Sequence, residues 1–173
     1  KAIHVIDRPS ELGQDDTNVV DVIKHSLNYI AKQKGSYPKI VALLQPTSPF
    51  ILPTHIDKSI ELLNANQHAD SVQSITPVIH NSHAYNQRII TDNKIVFRFA
   101  KERSEAYNKQ RKPSHYIFGN LVVFKTTSLF NNNNCFGKIS LPIYITRDYA
   151  IDIDTPEDID YADFLLENKK VLL

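Results

Sequence analysis

The sequence has 173 residues with 20 Lys and Arg against 19 Asp and Glu, so its charge is nearly balanced. This length fits one domain with a substantial core, and the balance excludes the basic field that nucleic-acid binding requires. No apolar run approaches the roughly 20 residues that cross a bilayer, no signal peptide is visible and the single cysteine excludes an internal disulfide, so we expect a cytoplasmic protein without nucleic-acid or membrane partners.

The first half of the sequence alternates between strand and helix patterns. Its predicted elements are a strand over residues 1–7, a helix from Thr17 to Gly35, a strand over 39–45, a helix capped by Thr54 and a strand over 71–75. Asp16 or Thr17 would cap the first helix, and the apolar run 39–45 is typical of a parallel strand buried on both faces. This order predicts one α/β domain over residues 1–173, with a mainly parallel sheet flanked by helices.

Residues 80–116 have a different pattern and predict an excursion from the sheet. Apolar residues over 88–90 and 94–99 indicate a hairpin that turns through 91–93. The following segment 101–112 is charged and shows little apolar periodicity. We interpret the excursion as a lid or a subunit contact.

The chain then returns to strand patterns over residues 116–124 and 141–145. Gly119 and Asn120 interrupt the first of these strands, and a glycine inside a strand marks a bulge or a close backbone approach. Cys135 follows in an Asn-rich loop, and we interpret it as an incidental thiol.

The stretch 149–162 changes from strand to helix periodicity in its middle. Thr155 is the expected N-cap, Pro156 the first helical residue and Asp158 the acid of a capping box. The apolar face of this helix is predicted to consist of Ile159, Ala162, Leu165 and Leu166.

Asp152 and Asp154 lie just before this helix, two residues apart. On an extended segment their side chains point the same way, about 7 Å apart along the chain. Mg²⁺ characteristically takes one or two carboxylates plus substrate phosphates, so the pair is a candidate metal site. Acids ahead of a helix also serve as caps, which explains Asp158 well and Asp152 poorly.

Three polar clusters fall at predicted strand ends, namely residues 45–48, residues 119–120 and the two acids. Because ligands of such sheets lie outside the carboxyl ends of the strands, the clusters are expected to form one site. Gln45 would bind a hydroxylated or carboxylated ligand, or else cap loop amides. Thr47 and Ser48 are interpreted as turn residues between two prolines.

The strings LLQPTSPF at residues 43–50 and IDIDTPED at 151–158 together resemble the acylneuraminate cytidylyltransferases, the CMP-sialic acid synthetases. The stretch from Arg8 to Leu12, with Asp16 and His25 following, is similar to another segment of that family. The resemblance runs from near residue 5 to near residue 166.

This resemblance implies a Rossmann-like fold and an Mg²⁺-dependent reaction that joins CTP to a nine-carbon sugar acid, in a homodimer to which the excursion contributes. It implies that Asp152 and Asp154 are the catalytic metal ligands and that Arg8 touches the nucleotide. It also implies four substrate-binding residues, which are Gln45, Asn120, Lys109 and Arg111. For the last two, a solvated charged surface is an equal alternative.

Two departures from the family pattern affect these expectations. The family has Asn-Gly where this chain has Gly119-Asn120, so the register of Asn120 is open by one residue. The Gly-rich nucleotide loop with which family chains begin is absent, so we expect a chain incomplete at its N-terminus and a poor catalyst. His80 and His83 are further candidates for lining the sugar pocket, although a lone histidine is more often structural.

Two other functions remain open at this point. A glycosyltransferase that uses a nucleotide-sugar also places a D-x-D and a divalent ion beside an α/β sheet, although usually in mid-chain. A non-catalytic subunit could keep the fold for dimerisation alone. The sequence does not determine which nonulosonic acid is used.

Overall fold

A computed structural model describes residues 5–106 and 108–173, with the backbone alone at Lys109. The strands are β1 (Ile40–Leu43), β2 (Ser71–Pro77), β3 (Arg88–Thr91), β4 (Lys94–Phe97), β5 (Tyr116–Lys125) and β6 (Ser140–Tyr144). The helices are α1 (Val19–Lys34), α2 (Pro53–Ala65), α3 (Ala100–Glu105), α4 (Thr126–Asn132) and α5 (Pro156–Glu167). Most of the strand predicted over 1–7 lies outside the described residues, and residues 5–7 are not in a strand.

Four strands form the main sheet in the order β1-β5-β2-β6. β2 and β6 pair in parallel, whereas β5 is antiparallel to both of its neighbours, so the sheet is mixed. The reversal follows from the excursion, because β2 enters it and β5 leaves it at the same point, where Val78 N–H donates to His115 O at 2.9 Å. The expected α/β fold is confirmed, with one strand reversed.

Helices cover both faces of the sheet. Alternate residues of β5 point to opposite sides, so Val122 and Phe124 pack under α1 while Leu121 and Val123 pack under α2. These four side chains are almost fully buried. Burying each contributes about 1.5–3 kcal/mol, so β5 is the centre of the core.

The strand over residues 39–45 is shorter and more exposed than predicted. β1 is an edge strand within the described part of the chain, its side chains are only half-buried, and Ala42 is exposed. An apolar run is typical of a strand buried on both faces. Because β1 lies at the edge of the sheet, its two faces are less covered than those of the central strand β5. The prediction of full burial was therefore wrong.

Helix ends follow local capping chemistry. Asn18, and not the predicted Asp16 or Thr17, caps α1, because its side-chain oxygen accepts from Val20 N–H at 2.9 Å. Gly35 ends α1 in the left-handed conformation, as expected. α2 begins at Pro53 behind Leu52, so the predicted cap Thr54 lies inside the helix.

The excursion carries the predicted hairpin as a separate two-stranded sheet of β3 and β4. Asp92 and Asn93 form its turn with φ of 50° and 58°, the values that favour a type I′ turn. Ile90 and Ile95 remain 77% and 74% exposed. The charged segment that follows contains the short helix α3 and a single 3-10 turn at Lys109–Arg111.

At α5, the predicted cap is confirmed and the predicted apolar face is partly wrong. Ala162 and Leu165 are buried, whereas Ile159 is 50% and Leu166 41% exposed. Within the described residues, no helix is long and apolar enough to span a bilayer.

Candidate functional site

The acidic segment 151–154 is extended but does not pair as a strand, contrary to its alternating pattern. Its backbone is tied to the turn after β1 by the bond from Ile153 N–H to Thr47 O at 2.9 Å. The expected alternation holds, because Ile151 is buried with Phe50 and Leu165 and the half-buried Ile153 packs against the same cluster. The segment is thus a loop anchored by two apolar side chains and by hydrogen bonds.

The turn after β1 lies against this segment. Ser48 N–H donates to Gln45 O at 3.1 Å and closes the turn. The Ser48 hydroxyl is buried and reaches Asp152 Oδ1 at 3.5 Å. The sequence analysis assigned Ser48 only a role in the turn and missed its contact with Asp152. Nothing in the Pro-Thr-Ser-Pro string distinguishes a serine that only forms a turn from one that also contacts a distant carboxylate.

Asn120 fastens the acidic segment from the other side. It adopts φ of 69° in β5, beside an irregularity in the pairing with β2, and its amide donates to Ala150 O at 3.3 Å and Ile151 O at 3.2 Å. Gly119 precedes it because a Cβ there would lie 2.8 Å from Ile145 Cδ1. The order Gly-Asn therefore suits this backbone.

Of the three nearby carboxylates, Asp158 is hydrogen-bonded within the start of α5, whereas Asp152 and Asp154 can still bind a ligand. Asp158 accepts from Asp154 N–H at 3.1 Å and from Thr155 N–H and Oγ1 at 2.9 Å, and these bonds hold the pKa of Asp158 below its usual value. Asp152 is half-buried and Asp154 exposed. The capping acid is thus committed to the helix, while the two D-x-D acids are left for a ligand.

The donor set fits Mg²⁺ in kind. Asp152 and Asp154 offer hard carboxylate oxygens, and in the described part of the chain neither is paired with a basic side chain. No group of three or more His, Cys, Asp or Glu that could hold a metal occurs among these residues. Protein ligands alone are thus few, which is the situation in which Mg²⁺ takes substrate phosphates and water as further ligands.

The remaining predicted site residues belong to three different parts of the fold. Gln45 is exposed at the turn after β1, and Arg8 is exposed ahead of the first 3-10 turn, Ser10–Leu12. The neighbouring Asp7 carbonyl lies 3.2 Å from His25 Nε2, which ties this stretch to α1. Lys109 and Arg111 belong to the excursion, and the side chain of Lys109 is outside the described residues.

The two histidine candidates differ from each other. His83 is buried and structural: its Nε2 lies 2.9 Å from Pro113 O and its Nδ1 accepts from Tyr85 N–H at 3.1 Å. His80 is exposed in a 3-10 turn after β2. Neither histidine belongs to the turn 45–48 or to the acidic segment.

Known proteins resemble this chain along nearly all of its length. It is 27% identical over 163 residues to the N-acylneuraminate cytidylyltransferase of Escherichia coli O18:K1:H7, covering 94% of this chain and 37% of that one. It is 25% identical over 168 residues to the CMP-N,N'-diacetyllegionaminic acid synthase of Legionella pneumophila subsp. pneumophila, covering 96% of this chain and 70% of that one. The chain therefore spans little more than a third of the Escherichia coli relative.

A solved structure supports the fold. The chain superposes on CMP:2-keto-3-deoxy-manno-octonic acid synthetase complexed with CTP with a TM-score of 0.57, covering 90% of this chain and 70% of that one. At 9% identity this likeness concerns the fold alone. The family model described as Cytidylyltransferase matches residues 1–173, and the chain belongs to the cytidylyltransferase family.

Proposed function

We propose that this chain is a nucleotidyltransferase that joins CMP from CTP to a nonulosonic acid and releases pyrophosphate. The observation that carries the proposal is the family match over residues 1–173. Both curated relatives are named for making a CMP derivative of such an acid. The family match also favours nucleotidyl transfer over the glycosyl transfer that a D-x-D alone would allow.

In this proposal Asp152 and Asp154 are the catalytic residues and hold Mg²⁺. When bound, the ion would neutralise charge on the phosphates and lower the pKa of the attacking hydroxyl. The Ser48 hydroxyl supports this role, because it meets one oxygen of Asp152 and leaves the other oxygen for a ligand. Exposed Asp154 can turn towards a ligand that arrives from solvent.

The other residues bind and orient the substrates. The anomeric hydroxyl of the sugar acid attacks the α-phosphorus of CTP, so the protein must hold the two in line. Gln45, whose side-chain amide both donates and accepts, would bind the sugar acid, and Arg8 would contact the nucleotide. Asn120 would act by holding the acidic segment in place through the carbonyls of Ala150 and Ile151.

The excursion 80–116 is proposed as the contact between two copies in a homodimer of single-domain subunits. Its hairpin exposes Ile90 and Ile95, which are costly to leave in water. The excursion carries eight Lys and Arg against three Asp and Glu, so the rest of the chain is acidic and a second copy offers a complementary surface. Lys109 and Arg111 would then reach a sugar carboxylate or phosphate.

The decisive experiment measures CTP binding calorimetrically with and without Mg²⁺ and follows CMP-sugar formation by ³¹P NMR, with several nonulosonic acids as acceptors. Asp152→Asn and Asp154→Asn should each abolish the Mg²⁺-dependent part of CTP binding. Asp163→Asn is the matched control, since Asp163 is an exposed acid on α5. Unchanged Mg²⁺-dependent binding in Asp152→Asn would refute the metal role.

The same samples separate the alternatives. Binding of UDP-sugars in preference to CTP would favour a glycosyltransferase. Stable dimers that bind no nucleotide would favour a non-catalytic subunit. A cytoplasmic location is part of the proposal and would be checked by fractionation of the native host.

A further inference from the structure

A second concave site lies at the neck of the excursion, where β2 ends and β5 begins. It has a volume of about 280 Å³, and its walls include His80, His83, Lys112, Ser114 and His115. All of its lining residues are described, and none of them is acidic. The turn 45–48 and the acidic segment contribute nothing to it, so it is separate from the candidate CTP site.

Two positive charges meet beside this concavity, and in the part of the chain that the structure describes their hydrogen bonds go to Asn86 and Tyr85 rather than to an acidic side chain. Lys112 Nζ and an Arg103 Nη each donate to the same oxygen, Asn86 Oδ1, at 2.7 Å. Arg103 also donates to Tyr85 O at 3.2 Å and lies 4.2 Å from the centroid of the Phe97 ring. Within the described residues, all of these partners are uncharged.

The surroundings of Lys112 disfavour its charged form. Desolvation, and then repulsion by Arg103, lower the pKa of Lys112 from its ordinary value. An ammonium has three donors, and only one of those of Lys112 is used by Asn86. Ammonium donors that remain beside two cations, with uncharged partners among the described residues, are suited to an anion.

The wall of the concavity is fixed in advance. His83 is buried and uses both ring nitrogens on backbone groups, as acceptor from Tyr85 N–H and as neighbour of Pro113 O. His115 stacks on it with a centroid distance of 4.1 Å and an interplanar angle of 10°. A ligand therefore meets a wall that is already ordered, which lowers the entropic cost of binding.

We propose that the neck binds a small phosphate-type dianion, such as phosphate or pyrophosphate, on Lys112 with Arg103 behind it and Ser114 and His115 at its side. A phosphate group carries about −1.5 to −2 charges near neutrality, enough to offset both cations, whereas a monocarboxylate offsets one. Free phosphate and pyrophosphate share this chemistry, and the experiment distinguishes them.

The test titrates the full chain with inorganic phosphate, pyrophosphate and acetate, in EDTA and without CTP, so that the metal-dependent site does not contribute. Binding is read from the imidazole C2–H signals in proton NMR. Phosphate or pyrophosphate should shift His115 and leave the distant His25 and His68 unchanged. Whichever of the two binds more tightly identifies the source, and acetate should bind at least about tenfold more weakly.

Variants locate the site. Lys112→Gln should weaken binding about tenfold or more, the size expected for the loss of a charge-assisted hydrogen bond, and Lys112→Arg should restore it. Lys94→Gln is the matched control, because Lys94 lies at the tip of the hairpin and the substitution removes the same single positive charge. Thermal melting checks that Lys112→Gln is folded, and Ser114→Ala, with an expected smaller loss, is the second variant.

Three results would overturn the proposal. One is a His115 signal that does not move at tens of millimolar phosphate or pyrophosphate. Another is acetate binding as tightly as phosphate. The third is a loss of affinity as large in Lys94→Gln as in Lys112→Gln, which would mean that net charge and not the neck binds the anion.

Discussion

Asn120 donates its side-chain amide to the backbone carbonyl of Ile151 at 3.2 Å, and so links the centre of the sheet to the acidic segment. The link depends on a φ of 69° at Asn120, a conformation that asparagine tolerates better than most residues. The same amide reaches Ala150 O at 3.3 Å. One residue in β5 therefore holds the loop that carries Asp152 and Asp154.

Replacing Asn120 separates its two contributions. Asn120→Gly keeps the left-handed backbone but loses both hydrogen bonds, and should cost about 1–2 kcal/mol in the free energy of unfolding. Asn120→Ala adds the strain of a left-handed alanine, about 1–2 kcal/mol more. Both should weaken Mg²⁺-dependent CTP binding, because the acidic segment loses its support. Urea denaturation and calorimetry measure the two effects, and CTP affinity equal to that of the parent in both variants would contradict the positioning role.

Much of the site neighbourhood was predictable because its residues carry local signals. The start of α5 was predicted from its capping residues, namely Thr155, Pro156 and Asp158, and the structure places them as expected. The placement of the polar residues after strands likewise predicted that the turn 45–48 and the acidic segment meet, which the bond between Thr47 and Ile153 shows. Local signals were sufficient for the start of α5, whereas the meeting of the turn and the acidic segment was predicted from the rule that ligand sites lie at the carboxyl ends of strands.

What the sequence did not reveal depends on long-range pairing. The direction of β5 follows from the meeting of Val78 and His115, which only a folded neck defines. The contact between Ser48 and Asp152 joins residues that are far apart in the chain. The exposure of Ile159 on α5 could not be predicted from helical periodicity either, because the pattern of apolar residues does not show what the helix packs against.

Gly137 and Gly35 allow a test of whether a glycine is required because a side chain would clash with its neighbours. Both have left-handed φ, 69° and 75°, but a Cβ on Gly137 would lie 2.2 Å from Asp70 Cβ, whereas one on Gly35 meets nothing within 4 Å. Gly35→Ala should cost about 1 kcal/mol. Gly137→Ala should cost about 1–3 kcal/mol beyond that, since Asp70 must move. Equal midpoints of urea unfolding for the two variants would show that the loop absorbs the added methyl group.

Cys135 is part of the core and not an exposed loop thiol. It packs with Leu27, Phe124 and Leu129, and burial raises the pKa of its thiol. Since the thiolate is the reactive form, Ellman's reagent at pH 8 should modify Cys135 slowly in the native protein and within seconds in urea. Complete modification in seconds without urea would place the thiol at the surface.

Asp70 should make stability depend on acid pH. Its carboxylate accepts from Ser128 Oγ at 2.6 Å, Lys138 N–H at 2.7 Å and Ile139 N–H at 2.9 Å, which pins the loop that leads into β6. The bond from Ser128, followed by that from Ile139, lowers the pKa of Asp70 in the folded state. A lowered folded pKa means that the stabilisation is complete above the unfolded value, about 3.9, and is lost as pH falls through the folded value.

Asp70→Asn removes this charge while keeping the side-chain shape. The variant should be less stable than the parent by about 1–2 kcal/mol at pH 7, a range reduced from that of buried charged hydrogen bonds because solvent is near. The difference should shrink as pH falls from about 4 through the lowered folded pKa of Asp70, because the unfolded parent is protonated first and the folded parent afterwards. Urea unfolding at a series of pH values measures it, with Asp163→Asn as the control whose difference from the parent stays flat. A difference for Asp70→Asn that is the same at pH 7 and pH 3 would show that the hydrogen-bond geometry alone, and not the charge, holds the loop.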